Sequence, residues 1–285
     1  MGTKELEKKS SGGGLVAAWK QNPLVSTGLV LILMIVVQTA IMIYNFGEGS
    51  VGELLLSLLT NWLNILRNNA PVGIIALGMT FVIISGGIDL SVGSTLVAVG
   101  AMVMMVVDGS ATGLLSGMGI TGVPAYIIAI AVGLVFGALL GWLNGVLIAH
   151  GKLPPFIATL GTMFAARGVA YMVNNNRNTD AIATGIGKEA GDKFQNFFYY
   201  GKTLGVYNTF WIALVIFLIF FFLLSKTRTG RHIYAIGSNV DAAKLSGVNV
   251  VNTTIKAYLV SAVCACVVGY ILCAQAGMGN MAAGN

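Results

Sequence analysis

The sequence predicts an all-α polytopic membrane protein, and three observations carry that expectation. Of 285 residues, 56% are apolar and only 9% are charged, where a soluble domain carries about 25% charged residues. The mean hydropathy is +0.84, which suits a chain whose solvent is largely lipid. The apolar residues are gathered into uncharged runs of about 17 to 25 residues, the length a helix needs to cross the hydrocarbon core. The shortage of charge excludes an ordinary soluble enzyme. A net charge of +6 and a pI near 9.3 do not indicate nucleic acid, because the basic residues are scattered between apolar runs and form no patch.

Residues 1–23 form a polar tail with Lys4, Lys8, Lys9 and Lys20. The run that follows is too long, and too poorly followed by small residues, for a removable signal peptide, so it is expected to stay as an anchor. About seven transmembrane helices are predicted within a membrane domain over 24–276: Leu24–Phe46, Ala70–Gly87, Ser91–Val107, Pro124–Ala149, Pro154–Val173, Val206–Leu224 and Ile255–Ala276. The thinner run Leu54–Leu66, interrupted by Asn61 and Asn64, reads as a separate interfacial or partly buried helix and not as a full crossing. Residues 277–285 are a remnant of small residues.

Basic residues are retained on the cytoplasmic side of a membrane. With the N-terminus inside, the tail lysines, Lys152, Lys226, Arg228, Arg231, Lys244 and Lys256 are cytoplasmic, and Arg67, Arg177, Lys188, Lys193 and Lys202 lie opposite. The bias is twofold. The acids Glu48, Glu53, Asp180, Glu189 and Asp192 fall outside, as do the loops Asp108–Val123 and 174–205. Arg167 sits within a span, near enough to its outer end to snorkel to the interface.

Cys264, Cys266 and Cys273 share one apolar segment and imply no disulfide framework. His150 and His232 stand far apart, without a partner at metal-ligand spacing. Gly133, Gly137, Gly141 and Gly145 recur every fourth residue and form one stripe where a neighbouring helix approaches backbone to backbone. That stripe reads as structural packing or as a moving contact between helices or protomers.

Two polar segments carry more information. In Ile84–Ser94, Gly86 and Gly87 suit a tight turn between two helices. Asp89 or Ser91 can cap the second helix, where a carboxylate meets the positive end of the helix dipole. Asp89 also reads as bordering a polar path, since an ionisable group near a span must face protein or water. In Ser225–Thr254, Asn239 or Ser238 can cap a short helix Val240–Leu245 that Gly247 stops. This segment reads either as a solvated loop or as a docking element for a soluble partner.

At these segments the chain resembles the permease subunits of bacterial ATP-binding-cassette importers for monosaccharides, of the ribose, xylose, arabinose and galactoside type. The resemblance rests on Gly78-Met79-Thr80 leading into Ser85-Gly86-Gly87-Ile88-Asp89-Leu90-Ser91-Val92-Gly93-Ser94, and on Pro155-Phe156-Ile157-Ala158-Thr159-Leu160-Gly161-Thr162 with Arg167-Gly168. It continues through Thr227-Arg228-Thr229-Gly230-Arg231-His232-Ile233-Tyr234-Ala235-Ile236-Gly237, then Asn239, Ala242-Ala243-Lys244-Leu245-Ser246-Gly247 and Val248. It covers about Leu63 to Gln275. Members of the family continue with further membrane segments beyond the point matching Ala276, so this chain looks like a truncated member.

The resemblance implies two permease subunits around one path, expected as a homodimer in the bacterial inner membrane. It implies a periplasmic sugar-binding protein and a cytoplasmic ATPase that holds the ATP and Mg. No GxxxxGK[ST] phosphate loop occurs in this chain, and Gly185-Ile186-Gly187-Lys188 lacks the spacing. By resemblance the Ser225–Thr254 loop seats a helix in the ATPase through Ala242, Ala243, Leu245, Ser246 and Gly247. Gly230 and Arg231 position it, with Arg231 also able to satisfy carbonyls at the end of the preceding span.

A sugar path calls for amides, hydroxyls and aromatic faces, for which Asn64, Asn68, Asn144, Thr159, Thr162 and Tyr171 are the candidates beside Gly86, Gly87, Asp89 and Ser91. Each has a plainer reading, since Asn and Thr in membrane helices often bond to a neighbouring backbone. Rival readings are a secondary carrier or facilitator, and an ATP-driven permease for a non-sugar solute. An enzyme has little support, because no nucleophile-and-base pair or metal cluster stands out.

Overall fold

The computed structural model describes residues 23–46, 50–107, 115, 118–120, 122–173 and 188–279. The tail lysines, Glu48, most of the loop 108–121, Arg177, Asp180, Gly185–Gly187 and residues 280–285 lie outside these. The described helices are α1 (Pro23–Asn45), α2 (Val51–Ile84), α3 (Val92–Val107), α4 (Val123–Ala149), α5 (Pro155–Val173), α6 (Lys188–Gln195), α7 (Asn208–Lys226), α8 (Arg228–Ser238), α9 (Val240–Leu245) and α10 (Val250–Ala276). A π-helical turn, Asn196–Tyr200, and a two-stranded hairpin, β1 (Lys202–Thr203) and β2 (Val206–Tyr207), separate α6 from α7. Among the described residues six helices, α1, α2, α4, α5, α7 and α10, are long and apolar enough to cross a membrane. The seventh expected span is α3, whose 16 residues are nearly all buried.

The chain divides into two compact units at Asn64. The first holds α1, 23 residues without a charge, and the opening turns of α2. Ser50 and Glu53 start α2 as a capping box: the Ser50 amide donates to Glu53 Oε2 at 2.9 Å, and the Glu53 amide donates to Ser50 Oγ at 3.3 Å. This corrects the expectation of a separate helix over Leu54–Leu66. The run is continuous with the following span as one 34-residue helix, since two asparagines cost helix propensity without breaking the backbone ladder.

In the second unit α10 is the central helix and packs on α3 and α4. The four-residue glycine stripe of α4 faces α10 within the chain. A methyl at Gly141 would stand 2.8 Å from the Tyr258 carbonyl oxygen, and one at Gly145 would stand 2.6 Å from the Ile255 Cα. Two tyrosines of α10 reach back across these contacts: Tyr270 donates to the Ile130 carbonyl at 2.8 Å, and Tyr258 to the Ile88 carbonyl at 3.2 Å. α10 begins at Val250 and not at Ile255, because Asn249 caps it by accepting from the Asn252 amide at 2.9 Å. The helix therefore starts in polar sequence before its apolar stretch. Val206, expected to open a span, instead pairs in the hairpin, whose turn residues Leu204 and Gly205 both take positive φ.

If the glycine stripe is a backbone contact, Gly141→Leu lowers stability by ~1–3 kcal/mol or more. Gly161→Leu, at a helix position with open space around it, stays within about 0.5 kcal/mol of the parent. Unfolding midpoints of the two variants in detergent check this.

Candidate functional site

The chain leaves α2 at Ile84 and re-enters helix at Val92. Gly86 takes φ +82°, and the Gly87 amide donates to the Val82 carbonyl at 2.9 Å, which closes the end of α2. A side chain at Gly87 would run into the Tyr258 hydroxyl. These two glycines deliver Asp89 to the interior, where it is 5% exposed.

Asp89 is the terminus of a buried chain of donors. Its Oδ1 accepts from the Ser91 amide at 3.0 Å and from Ser91 Oγ at 2.6 Å, and its Oδ2 accepts from Ser261 Oγ of α10 at 2.8 Å. Ser91 Oγ in turn accepts from Asn144 Nδ2 of α4 at 2.9 Å, and Asn144 Oδ1 accepts from Thr162 Oγ1 of α5 at 2.5 Å. Each hydrogen points toward the carboxylate, so the bonds polarise one another and are strengthened by its charge. Asn144 is 1% exposed, and Ser91, Thr162 and Ser261 are buried with it. The network ties the 85–91 turn to α3, α4, α5 and α10 at one point.

Of the residues expected to border a path, Asp89, Ser91, Asn144 and Thr162 are brought together, facing one another as a closed node. Thr159 is buried and donates to the Pro155 carbonyl at 2.8 Å. Tyr171 is exposed and stands apart. Asn68 accepts from the Tyr199 hydroxyl at 2.7 Å. Asn64 belongs to the first unit. Ser261 was not singled out by sequence reading: a serine in an apolar helix carries no signal until its partner across the bundle is known.

A second cluster holds the 188–207 segment. The Arg67 guanidinium lies 4.2 Å from the ring centre of Tyr207 and 4.6 Å from that of Tyr199, a paired cation–π contact. Burial pushes the Tyr199 phenol up, with Arg67 opposing, and its hydroxyl is the donor to Asn68. Gln195 donates to the Ala274 carbonyl at 2.9 Å and Tyr200 to the Gln275 carbonyl at 3.0 Å. In the sequence Arg67 read only as a topology charge; the aromatic run Asn196–Tyr200 was the available sign of a partner.

In the loop after α7, Thr227 caps α8 by accepting from the Gly230 amide at 3.3 Å, and it donates to the Leu223 carbonyl at 2.5 Å. One carbonyl at the end of α7 is thus met by Thr227, while Arg231, expected to satisfy carbonyls there, is exposed. Gly230 lies against the carbonyls of Leu223 and Leu224 with no room for a side chain. Asn239 caps α9, accepting from the Ala242 amide at 2.9 Å, and Gly247 turns the chain at φ +79°. Leu245 is 92% exposed, whereas Ala243 is 3% exposed. Ala242, Ser246 and Gly247 are exposed beside Leu245.

The site is thus a break between two helices of a polytopic bundle, closed on a buried polar node, with a short capped helix in the loop after α7. The family described as branched-chain amino acid transport system / permease component matches residues 61–284, and the chain belongs to it. The ribose import permease protein of Haemophilus influenzae is 37% identical over 224 residues, covering 79% of this chain and 64% of that permease. That of Bacillus subtilis is 39% identical over 212 residues, covering 74% and 60%. The galactofuranose transporter permease protein of Escherichia coli is 34% identical over 213 residues, covering 75% and 56%. The chain thus spans just under two thirds of the length of the first of these relatives. No solved structure matches.

Asn144→Leu removes the donor to Ser91 and the acceptor of Thr162, and is expected to cost ~1–3 kcal/mol. Thr162→Val in the Asn144→Leu background should then cost much less than alone, because the two side chains share one bond. Unfolding of the two single variants and the double variant gives this coupling directly.

Proposed function

We propose that this chain is the membrane-spanning permease subunit of an ATP-driven bacterial importer. It forms with a second copy the path for a monosaccharide delivered by a periplasmic binding protein. A separate cytoplasmic ATPase carries the ATP and Mg. The observation that carries this reading is the 225–254 loop: a six-residue helix, capped at Asn239, that presents Leu245 to solvent while the preceding α8 is seated on the spans through Ile233. An exposed leucine flanked by Ala242, Ser246 and Gly247 is an apolar knob for a groove in a soluble protein. Names of relatives support the cargo, since three of them are ribose, fructose and galactofuranose transport permeases.

The sidedness follows from charge. Lys226, Arg228, Arg231 and Lys244 belong to this loop, and retention of basic loops in the cytoplasm puts it inside. The 85–91 turn shares that end of the bundle, because Gly237 of α8 lies against Ile84. Arg67 with the 188–207 segment then faces the periplasm, where the binding protein docks. Nucleotide-driven closure of the ATPase moves α9, and the spans exchange outward for inward access through a rigid-body change, biased by differing contacts in the two states. The Asp89 node, closed here, is one of the contacts that such a change must remake. A self-sufficient carrier is disfavoured because ion relays place carboxylates or histidines along the spans, whereas the carboxylate of this bundle is used up by three donors at a helix break.

Affinity purification of the intact membrane complex tests this. An ATPase and a periplasmic protein are expected to accompany the chain, with hydrolysis stimulated by the sugar that the periplasmic protein binds. Stimulation by an amino acid and not by a sugar would change the cargo. Leu245→Asp, at an exposed position, should leave insertion intact and abolish retention of the ATPase. Gly247→Pro should do the same, because proline cannot take the positive φ found there.

A further inference from the structure

Helix α8 is seated on the spans. Ile233 and Ile236 are buried, and Ile233 joins Phe81 of α2 and Ala257 of α10 in a small core with Phe220 and Leu224 of α7 packed against it. At the far end of α8, Gly237 meets the end of α2. A methyl there would overlap the Ile84 carbonyl oxygen and stand 3.6 Å from the Ser85 Cα. With only hydrogen on its α-carbon, backbone meets backbone, and the α-hydrogens face one of the last four carbonyls of α2, which have no partner inside their own helix.

Ile84 is the last residue before the break. Gly86 turns the chain two residues later, the Ile88 carbonyl accepts from Tyr258, and Asp89 enters the buried node. On the other side, Gly237 is separated from α9 only by Ser238 and by Asn239, which caps it. The second exit from the loop, through Asn249 into α10, leads to Tyr258, which donates to the Ile88 carbonyl, and to Ser261 of the node. Both ends of the loop therefore reach Asp89, and the shorter route from α9 to the helix break passes through Gly237.

We propose that the contact of Gly237 with the Ile84 carbonyl is the joint through which displacement of the 227–249 loop is passed to the helix break and the Asp89 node. The proposal rests on the reading of this loop as the seat of the ATPase. Gly237 acts as a positioning residue: it touches no cargo and no nucleotide. Adding a methyl wedges α8 away from α2, so the break no longer follows the loop.

The test has a part that needs no partner. In nanodiscs holding this chain alone, the maleimide labelling rate of Ile88→Cys reports the break, against a slow background because the three native cysteines are buried. Gly237→Ala should change that rate by about fivefold, the lower end of ordinary coupling between sites, and Ser238→Ala should leave it unchanged. In the assembled complex, Gly237→Ala should retain the ATPase but lower uptake per ATP by about fivefold. Ile236→Ala loosens the same seat without crowding it and should act in the same direction, which keeps the question open to refutation if the alanine at 237 does not fold. Parent-like labelling and parent-like uptake per ATP in both variants would overturn the joint. Failure of the parent chain to retain any ATPase would instead sink the importer reading and leave the labelling result to stand by itself.

Discussion

A buried carboxylate sets the terms for this bundle. Asp89 is enclosed among helices, and a charge withdrawn from water survives only where charge-assisted hydrogen bonds replace its hydration. The donors come from Ser91 and from Ser261, and the chain through Asn144 and Thr162 brings α4 and α5 to the same point. Removing one partner of such a group costs more than the bond itself, since the remainder stays buried and unsatisfied. The positions of α3, α4, α5 and α10 are thus conditions on one another at the turn between α2 and α3.

Close approach is what makes that arrangement possible. In lipid there is little hydrophobic gain from bringing two helices together, so contact area and short distances between backbones matter most. The α4 glycines admit α10 at Tyr258 and Ile255, and Gly78 of α2 admits Ser261 and Cys264. Ser261 therefore lies near enough to the break to reach Asp89. Packing by small residues and the polar node are two parts of one constraint.

Local features were legible in the sequence where conformation is written in a few neighbouring residues. The turn at Gly86 and Gly87, the cap at Asn239 and the stop at Gly247 are of this kind, because each residue type is chosen by a backbone need. The glycine stripe was legible as a packing face, but its partner helix was not. The Asn144–Thr162 bond spans 18 positions and the Asp89–Ser261 bond 172; such pairs are set by tertiary packing, which no local pattern encodes. The join of Leu54–Leu66 to the next span was missed although its signal was present, as Ser50 and Glu53 carry the capping-box spacing. Ala243 joins the docking face by resemblance; at 3% exposed it lies on the buried side of α9, which residue type alone does not reveal.

On the proposed function, Asp89 is the point where the moving parts of a gate meet, and the drive lies in another protein. The most direct test is accumulation of radiolabelled sugar in proteoliposomes, with the binding protein supplied on one side and the ATPase with ATP on the other. Accumulation against a gradient should appear only when all components are present and should vanish when the ATPase is left out. Uphill accumulation by this chain alone would contradict the account.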